Sequence, residues 1–267
     1  MTYKILCSDL DGTLLTTKSD VSKFTIKEIE RVKKHMQIIL VSARMPKAMR
    51  YIQKDLGILH EPIICYNGAL ILNGDKEITS TIIPAPCLEN IHTVAEQYNI
   101  KLGLYYKDEW YVELDSERVQ KEKLHTKVEP VFKNTEDTIL DWKLRNIGAH
   151  KIMLMGTKST ADIAFQKLQE SLSNEINIYR SNDTLIEISP KSVSKLSAIT
   201  DLIKDKNSLN DIISFGDNYN DIDMLQHTGC GIAVGNAREE TKKIADDITL
   251  KNTEDGVAHY VRQNLFN

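Results

Sequence analysis

The segment Asp9-Leu10-Asp11-Gly12-Thr13 sets two carboxylates two residues apart with a glycine directly after them. Where a strand breaks into a turn, both side chains can face one pocket. One can hold a metal and attack phosphorus, while the other hands a proton to the leaving oxygen. The plain alternative is an Asp-Gly turn carrying two solvated acids. A second acidic stretch, Gly216-Asp217-Asn218-Tyr219-Asn220-Asp221, favours chemistry. Its carboxylates and amides make an oxygen-rich site, which suits a hard cation such as Mg²⁺. Asn220 or Asp221 could equally cap the helix that runs through Met224.

Charge explains why a base must join them. Two ionised aspartates would repel a phosphoester of about −2 charge. Mg²⁺ and one lysine cancel most of that, leaving about −1 for hydroxyl and N–H donors. Lys191 and Lys195 both stand near the start of a helix expected over 192–204, with Lys195 one turn in, and position alone does not separate them. Val41-Ser42-Ala43-Arg44 ends another apolar run. A serine hydroxyl and neighbouring N–H groups at such a turn suit a phosphate oxygen, although a serine there could also cap the next helix.

The elements that must position these residues read as a doubly wound α/β core. Tyr3–Cys7, Gln37–Val41 and Ile63–Cys65 are short apolar runs of the buried-strand kind, separated by helical patterns at Thr25–His35 and Pro46–Leu56. Strands alternating with helices imply parallel βαβ units, and open sheets of that kind place ligands at the carboxyl ends of their strands. The pattern changes near Pro84-Ala85-Pro86, read as a turn-rich hinge. Strands at Lys101–Tyr106, Trp110–Leu114, Lys151–Met155, Asn177–Ser181 and Leu185–Ile188 follow, with a helix at Thr160–Leu172. The first pattern then resumes, with strands at Asp211–Phe215 and Gly231–Val234 and helices at Asp221–Gln226, Arg238–Ala245 and Val257–Asn264. The expected organisation is a mostly parallel, Rossmann-like core of residues 1–83 and 189–267, interrupted by an α/β insert of residues 84–188.

Composition narrows the partners. With 267 residues, a net charge of −4 and 6% aromatic residues, the chain lacks the basic face and stacking aromatics of nucleic-acid binders. No apolar run approaches the roughly 20 residues needed to span a bilayer. The acidic motif follows the first strand directly, so no signal peptide is expected and the location is read as cytoplasmic. Cys7, Cys65, Cys87 and Cys230 are widely spaced and read as thiols rather than a zinc site, with Cys7 and Cys65 buried. The seven histidines (His35, His60, His92, His125, His150, His227, His259) are read as forming no cluster with metal-ligand spacing.

Taken in order, Asp9-Leu10-Asp11-Gly12-Thr13, Ser42-Ala43-Arg44, Lys195 and Gly216-Asp217…Asn220-Asp221 resemble the haloacid dehalogenase superfamily of phosphohydrolases. Asn67-Gly68-Ala69, Gly235-Asn236-Ala237 and Glu254-Asp255-Gly256-Val257-Ala258 are similar to secondary signatures of its Cof-type branch. That branch inserts a large α/β cap after the third core strand. The resemblance implies Asp9 as nucleophile and Asp11 as general acid/base. It also implies Mg²⁺ held by Asp9, the Asp11 backbone carbonyl and Asp217. Ser42, Ala43, Lys195 and Asn220 would bind the phosphoryl group, with Lys195 chosen over Lys191. Asp221, Arg44 and Asn67 would be accessory. Ala43 and Leu196 stand where the family often has glycine, which bears on rate and substrate preference without removing a catalytic side chain.

The expected activity is Mg²⁺-dependent hydrolysis of small phosphate esters, sugar phosphates first, with the cap closing over the substrate. Arg180 and the insert tyrosines are candidates for specificity. A phosphomutase would use the same site and return the phosphoryl group to sugar. A phospho-acceptor switch would hold the phosphoryl group with little turnover. No nucleic-acid or membrane partner is expected, and the sequence is silent on oligomeric state.

Overall fold

The structure is a computed structural model that describes residues 3–16 and 20–266. Met1, Thr2, Thr17, Lys18, Ser19 and Asn267 of the expected core lie outside the described residues. The chain forms two compact units, one of residues 1–79 and 194–267, the other of residues 80–193. The joins therefore fall at 79/80 and 193/194, where the sequence suggested 83/84 and 188/189.

In chain order the first unit opens with β1 (Ile5–Ser8), α1 (Lys23–Val32), β2 (Gln37–Val41), α2 (Lys47–Leu56), β3 (Pro62–Cys65), β4 (Leu70–Asn73) and β5 (Lys76–Ser80). The second unit holds α3 (Ala85–Gln97), β6 (Lys101–Tyr106), β7 (Glu109–Val112), α4 (Glu117–Thr126), β8 (Val131–Phe132), α5 (Thr135–Leu144), β9 (Lys151–Met155), α6 (Lys158–Leu172), β10 (Ile176–Asn182) and β11 (Leu185–Pro190). The chain then completes the first unit with α7 (Lys195–Ile203), β12 (Ile212–Gly216), α8 (Ile222–His227), β13 (Cys230–Ala233), α9 (Glu239–Ile244), β14 (Asp247–Ile248) and α10 (Gly256–Asn264).

The sheet of the first unit has the order β14-β13-β12-β1-β2-β3-β4-β5. Strands β14 through β3 are parallel, and β4 runs antiparallel to β3. Both β1 and β3 are buried along their whole length, as continuous apolar strands with helices on both faces must be. Alternate residues such as Ile5 and Cys7, or Ile39 and Val41, meet Ile199, Ile203, Met224 and Leu225 in one core cluster. Register aligns Ser8 with Phe215 on one side and with Leu40 on the other. The residues just past β12, β1, β2 and β3 therefore emerge side by side on one edge.

The second unit has a separate six-stranded sheet, ordered β10-β11-β9-β6-β7-β8, antiparallel except where β7 meets β8. Its core gathers Leu88, Ile91, Leu102, Trp142, Ile152, Leu154 and Leu168. Pro84-Ala85-Pro86 starts a helix rather than forming a turn, and lies inside the second unit rather than at the join. Pro84 is the N-cap of α3 and Pro86 lies in its first turn, where a missing N–H costs no helical bond. Tyr105 and Trp110 are buried and stacked, with ring centroids 5.6 Å apart. Arg180 is engaged locally, with Asp162 at 2.6 Å.

Candidate active site

The first acidic motif leaves β1 in a wide turn, closed by the Leu15 N–H donating to the Leu10 carbonyl at 3.0 Å. Its shape depends on Gly12, which sits at φ 90°; a Cβ there would come within 2.7 Å of an Asp217 carboxylate oxygen. The turn brings the two acidic motifs together. Thr13 Oγ1 donates to Asp217 Oδ1 at 3.1 Å, and Asn236 Nδ2 donates to the Gly12 carbonyl at 2.8 Å.

Lys195 lies at the first position of α7 rather than one turn into the helix. Its start is set by Ser194, whose side chain accepts from the Ser197 N–H while the Ser197 hydroxyl accepts in return from the Ser194 N–H. The helix end is drawn close by Gly68, at φ 110°, where a Cβ would stand 2.4 Å from the Ser194 carbonyl oxygen. Lys195 Nζ then donates to Asp9 Oδ1 and to Asp221 Oδ1, both at 2.6 Å, with its side chain 0% exposed. Lys191 is exposed, so geometry separates the two lysines that position could not.

Asp221 does more than an accessory role required. Its second oxygen accepts the N–H groups of Asp217 at 3.0 Å and Asn218 at 3.1 Å, so one carboxylate holds both the lysine and the loop after β12. The competing reading of Asn220 or Asp221 as a side-chain cap of the helix through Met224 is not met: α8 receives no side-chain cap, and Asp221 instead closes the capping box of the short turn at Tyr219–Asp221. Asp9, Asp217 and Asp221 each offer an oxygen within 4.8 Å of the others. Asp9 Oδ2 is buried and has no hydrogen-bond partner.

Burial drives the electrostatics. It pushes the Asp9 carboxyl well above its usual range, against the pull of Lys195 and with help from Asp221 and Asp217. Asp217 is raised from 3.8 to about 6, first by burial and then by the Asp221 charge. Burial alone would lower the Lys195 pKa, but Asp221 and Asp9 together hold it above its ordinary value. Three carboxylates against one ammonium leave the cluster anionic. The orphaned Asp9 oxygen and the all-oxygen donor set fit a hard divalent cation.

Asp11 faces another partner. Arg44 Nε and Nη2 each donate to it at 2.8 Å, a two-pronged grip, and Arg44 Nη1 donates to the Tyr51 hydroxyl at 2.9 Å. The Arg44 side chain is 4% exposed and that of Asp11 37%. Both carboxylate oxygens of the acid are thus held on one side, while its side chain stays partly open to solvent. Ser42 is buried at the end of β2, and its hydroxyl accepts from the Arg44 N–H at 3.2 Å. The Ser42 N–H is spent on the Ile64 carbonyl, so it is not among the N–H groups open to an anion. Ala43 and Leu196 are both half-buried. Asn67, at φ 55° after β3, accepts from Asn220 Nδ2 at 3.0 Å, which joins the last two expected residues.

All the expected site residues thus lie on or beside one sheet edge. Thr13, Tyr51 and Asn236 were given no role by sequence reasoning. Thr13 and Asn236 lay inside quoted motifs, whereas nothing in the sequence around Tyr51 pointed to Arg44.

Residues 6–261 match the family model of the haloacid dehalogenase-like hydrolases. The chain belongs to that family. Within the haloacid dehalogenase-like hydrolases it is of the Cof type, and it is a phosphoric monoester hydrolase. It is 31% identical to a Haemophilus influenzae relative, covering 97% of each chain. It is 27% identical to the 5-amino-6-(5-phospho-D-ribitylamino)uracil phosphatase YitU of Bacillus subtilis, over 97% of this chain and 96% of that one. A haloacid dehalogenase-like hydrolase from Bacteroides thetaiotaomicron superposes with a TM-score of 0.89 at 27% identity, covering 98% of this chain and 99% of the other. The shared fold is this mixed α/β architecture.

Proposed function

We propose that the chain hydrolyses small phosphorylated metabolites, sugar and polyol phosphates foremost, through an aspartyl phosphate on Asp9, with Mg²⁺ as cofactor. The observation that carries this reading is the state of Asp9: one oxygen is fixed by Lys195, and the other is buried, unpartnered and directed at no protein donor. Asp9, the Asp11 carbonyl and Asp217 would hold Mg²⁺, which when bound offsets the charge of the phosphoryl oxygens and of the aspartates.

Lys195 keeps Asp9 oriented and supplies positive charge beside the incoming phosphoryl group. Ser42, and the Asn220 amide steered by Asn67, would bind its oxygens. Asp9 attacks phosphorus in line, and the ester oxygen leaves with a proton from Asp11. Asp11, now ionised and held by Arg44, takes a proton from the water that attacks the phospho-aspartate. Free phosphate is released and Asp9 returns to its starting state. The polyol-phosphate preference is supported by the substrate in the name of the Bacillus subtilis relative. We assign residues 80–193 the part of the cap.

Phosphate release from a panel of phosphorylated metabolites, with Mg²⁺ and with EDTA, tests the proposal. The expected result is metal-dependent release, fastest on sugar or polyol phosphates. Release undiminished in EDTA overturns the metal assignment, and an isomeric sugar phosphate in place of free phosphate makes the chain a mutase.

A further inference from the structure

A second group of metal-ligating side chains lies wholly inside the unit of residues 80–193, and no step above uses it. His92 and Glu96 stand one turn apart on α3, on the same helix face. Glu136 comes from the first turn of α5, which packs against α3. One nitrogen and two carboxylate oxygens from these three residues lie within 4.8 Å of one another. The reading of the histidines as unclustered is therefore corrected for His92. Its partner Glu136 arrives through the fold, from another helix, and no sequence spacing announces it.

Three features distinguish this trio from ordinary surface acids. The donor set is mixed, because an imidazole nitrogen joins the carboxylates. His92 Nε2 is 3.8 Å from Glu96 Oε1, too far for a hydrogen bond. That gap is near the ~3.4 Å that separates two ligand atoms around a tetrahedral ion with bonds of about 2.1 Å. The trio also lines a concave site of about 290 Å³, walled by Lys101, Glu113 and Asn134. Those walls are already satisfied: Glu113 accepts from Lys101 at 3.1 Å and from Asn134 at 3.0 Å. Among the described ion pairs, Glu96 pairs with His92 alone and Glu136 with none. The lysine of the walls is thus spent on Glu113, and among the described ion pairs neither ligand carboxylate has a lysine or arginine partner.

We propose that His92, Glu96 and Glu136 form a second cation site, selective for a borderline transition metal such as Zn²⁺ over Mg²⁺. Imidazole is a good ligand for Zn²⁺, Ni²⁺ and Co²⁺, whereas Mg²⁺ prefers oxygen and keeps its water. The site would clip α3 to α5, with solvent completing the coordination sphere. It differs in chemistry from the all-oxygen cluster at Asp9, Asp217 and Asp221.

Equilibrium dialysis of Zn²⁺ into the full chain, held in excess Mg²⁺, tests this with wild type, His92→Gln, Glu136→Gln and Asp217→Asn. Loss of even an outer-shell partner costs about 10–100-fold in metal affinity, so His92→Gln and Glu136→Gln should each weaken one Zn²⁺ site at least that far. Asp217→Asn should retain it. Co²⁺ gives a second readout: wild type and Asp217→Asn should show the visible absorption of a nitrogen-ligated ion, and His92→Gln should not. Glu136 is exposed and His92 is half-buried, and a thermal melt without metal will show each variant folded. Zn²⁺ binding unchanged in His92→Gln and Glu136→Gln, or lost only in Asp217→Asn, overturns the proposal.

Discussion

In metal-free protein, raising the pH through the titration of Asp217 should weaken the first unit, and Asp217→Asn should remove that weakness. Burial and the neighbouring Asp221 raise Asp217 from 3.8 to about 6. Below the unfolded value both states are protonated and the stabilising contribution is full. As pH rises the unfolded chain ionises first while the folded carboxyl keeps its proton, so stability falls and the contribution is spent above the folded value. At 1.36 kcal/mol per pH-unit difference, the full loss is about 3 kcal/mol, with about half of it falling between about pH 5 and pH 8. Asparagine cannot titrate, so the gap between variant and wild type should widen by about 1.5 kcal/mol over that range. At about 2–4 °C per kcal/mol that is a widening of about 3–6 °C in melting temperature. Thermal melts of both proteins in EDTA at the two pH values measure it, and groups that do not interact with Asp217 cancel in the difference. Mg²⁺ at a hundred times its Kd should then return about 2.7 kcal/mol to wild type and far less to the variant. A gap that does not change with pH, or an equal gain from Mg²⁺ in both proteins, would refute the electrostatic reasoning.

Lys195→Met leaves two buried carboxylates without their shared partner, a change that costs about 3–5 kcal/mol; urea unfolding should show a correspondingly lower midpoint, and an unchanged midpoint would contradict the ion pairs. Arg44→Ala releases Asp11, so kcat should fall by about a hundredfold or more while KM moves little. Tyr51→Phe, which removes one of the bonds that hold Arg44, should give a smaller fall in kcat of the same kind. Gly68→Ala places a Cβ 2.4 Å from the Ser194 carbonyl oxygen at φ 110°, and should destabilise by about 1 kcal/mol or more and lower kcat by displacing Lys195. Wild-type kcat in Gly68→Ala would show that the start of α7 tolerates movement.

Legibility in the sequence followed the physics of each element. Gln37–Val41, Lys101–Tyr106 and Lys151–Met155 were read at their observed limits because a short apolar run flanked by polar residues is long enough for a buried strand and too short for a buried helix. Helix α4 carries no readable pattern, because ERVQKEKLHT is almost wholly polar and buries only Val119 and Thr126. Strands β4 and β5 pair in a hairpin-like extension of the sheet that carries little pattern of its own. At the site, residues that end strands were readable because a parallel sheet must deliver them to one edge. The bond from Asn220 to Asn67 depends on how two turns distant in sequence meet, and that of Tyr51 on how α2 lies against Arg44, neither of which spacing encodes. Lys195 is the intermediate case: its helix was visible, but only the close contact at Gly68 shows why its side chain, and not that of Lys191, reaches Asp9.

The most direct test of the central claim is acid quenching of a single turnover with a radiolabelled phosphoester, followed by peptide mapping. The proposed mechanism predicts label bound covalently to the peptide that contains Asp9, rising and then decaying as phosphate appears, and absent in Asp9→Asn along with phosphate release. Phosphate released at the wild-type rate by Asp9→Asn, or with label never attached to that peptide, would contradict it.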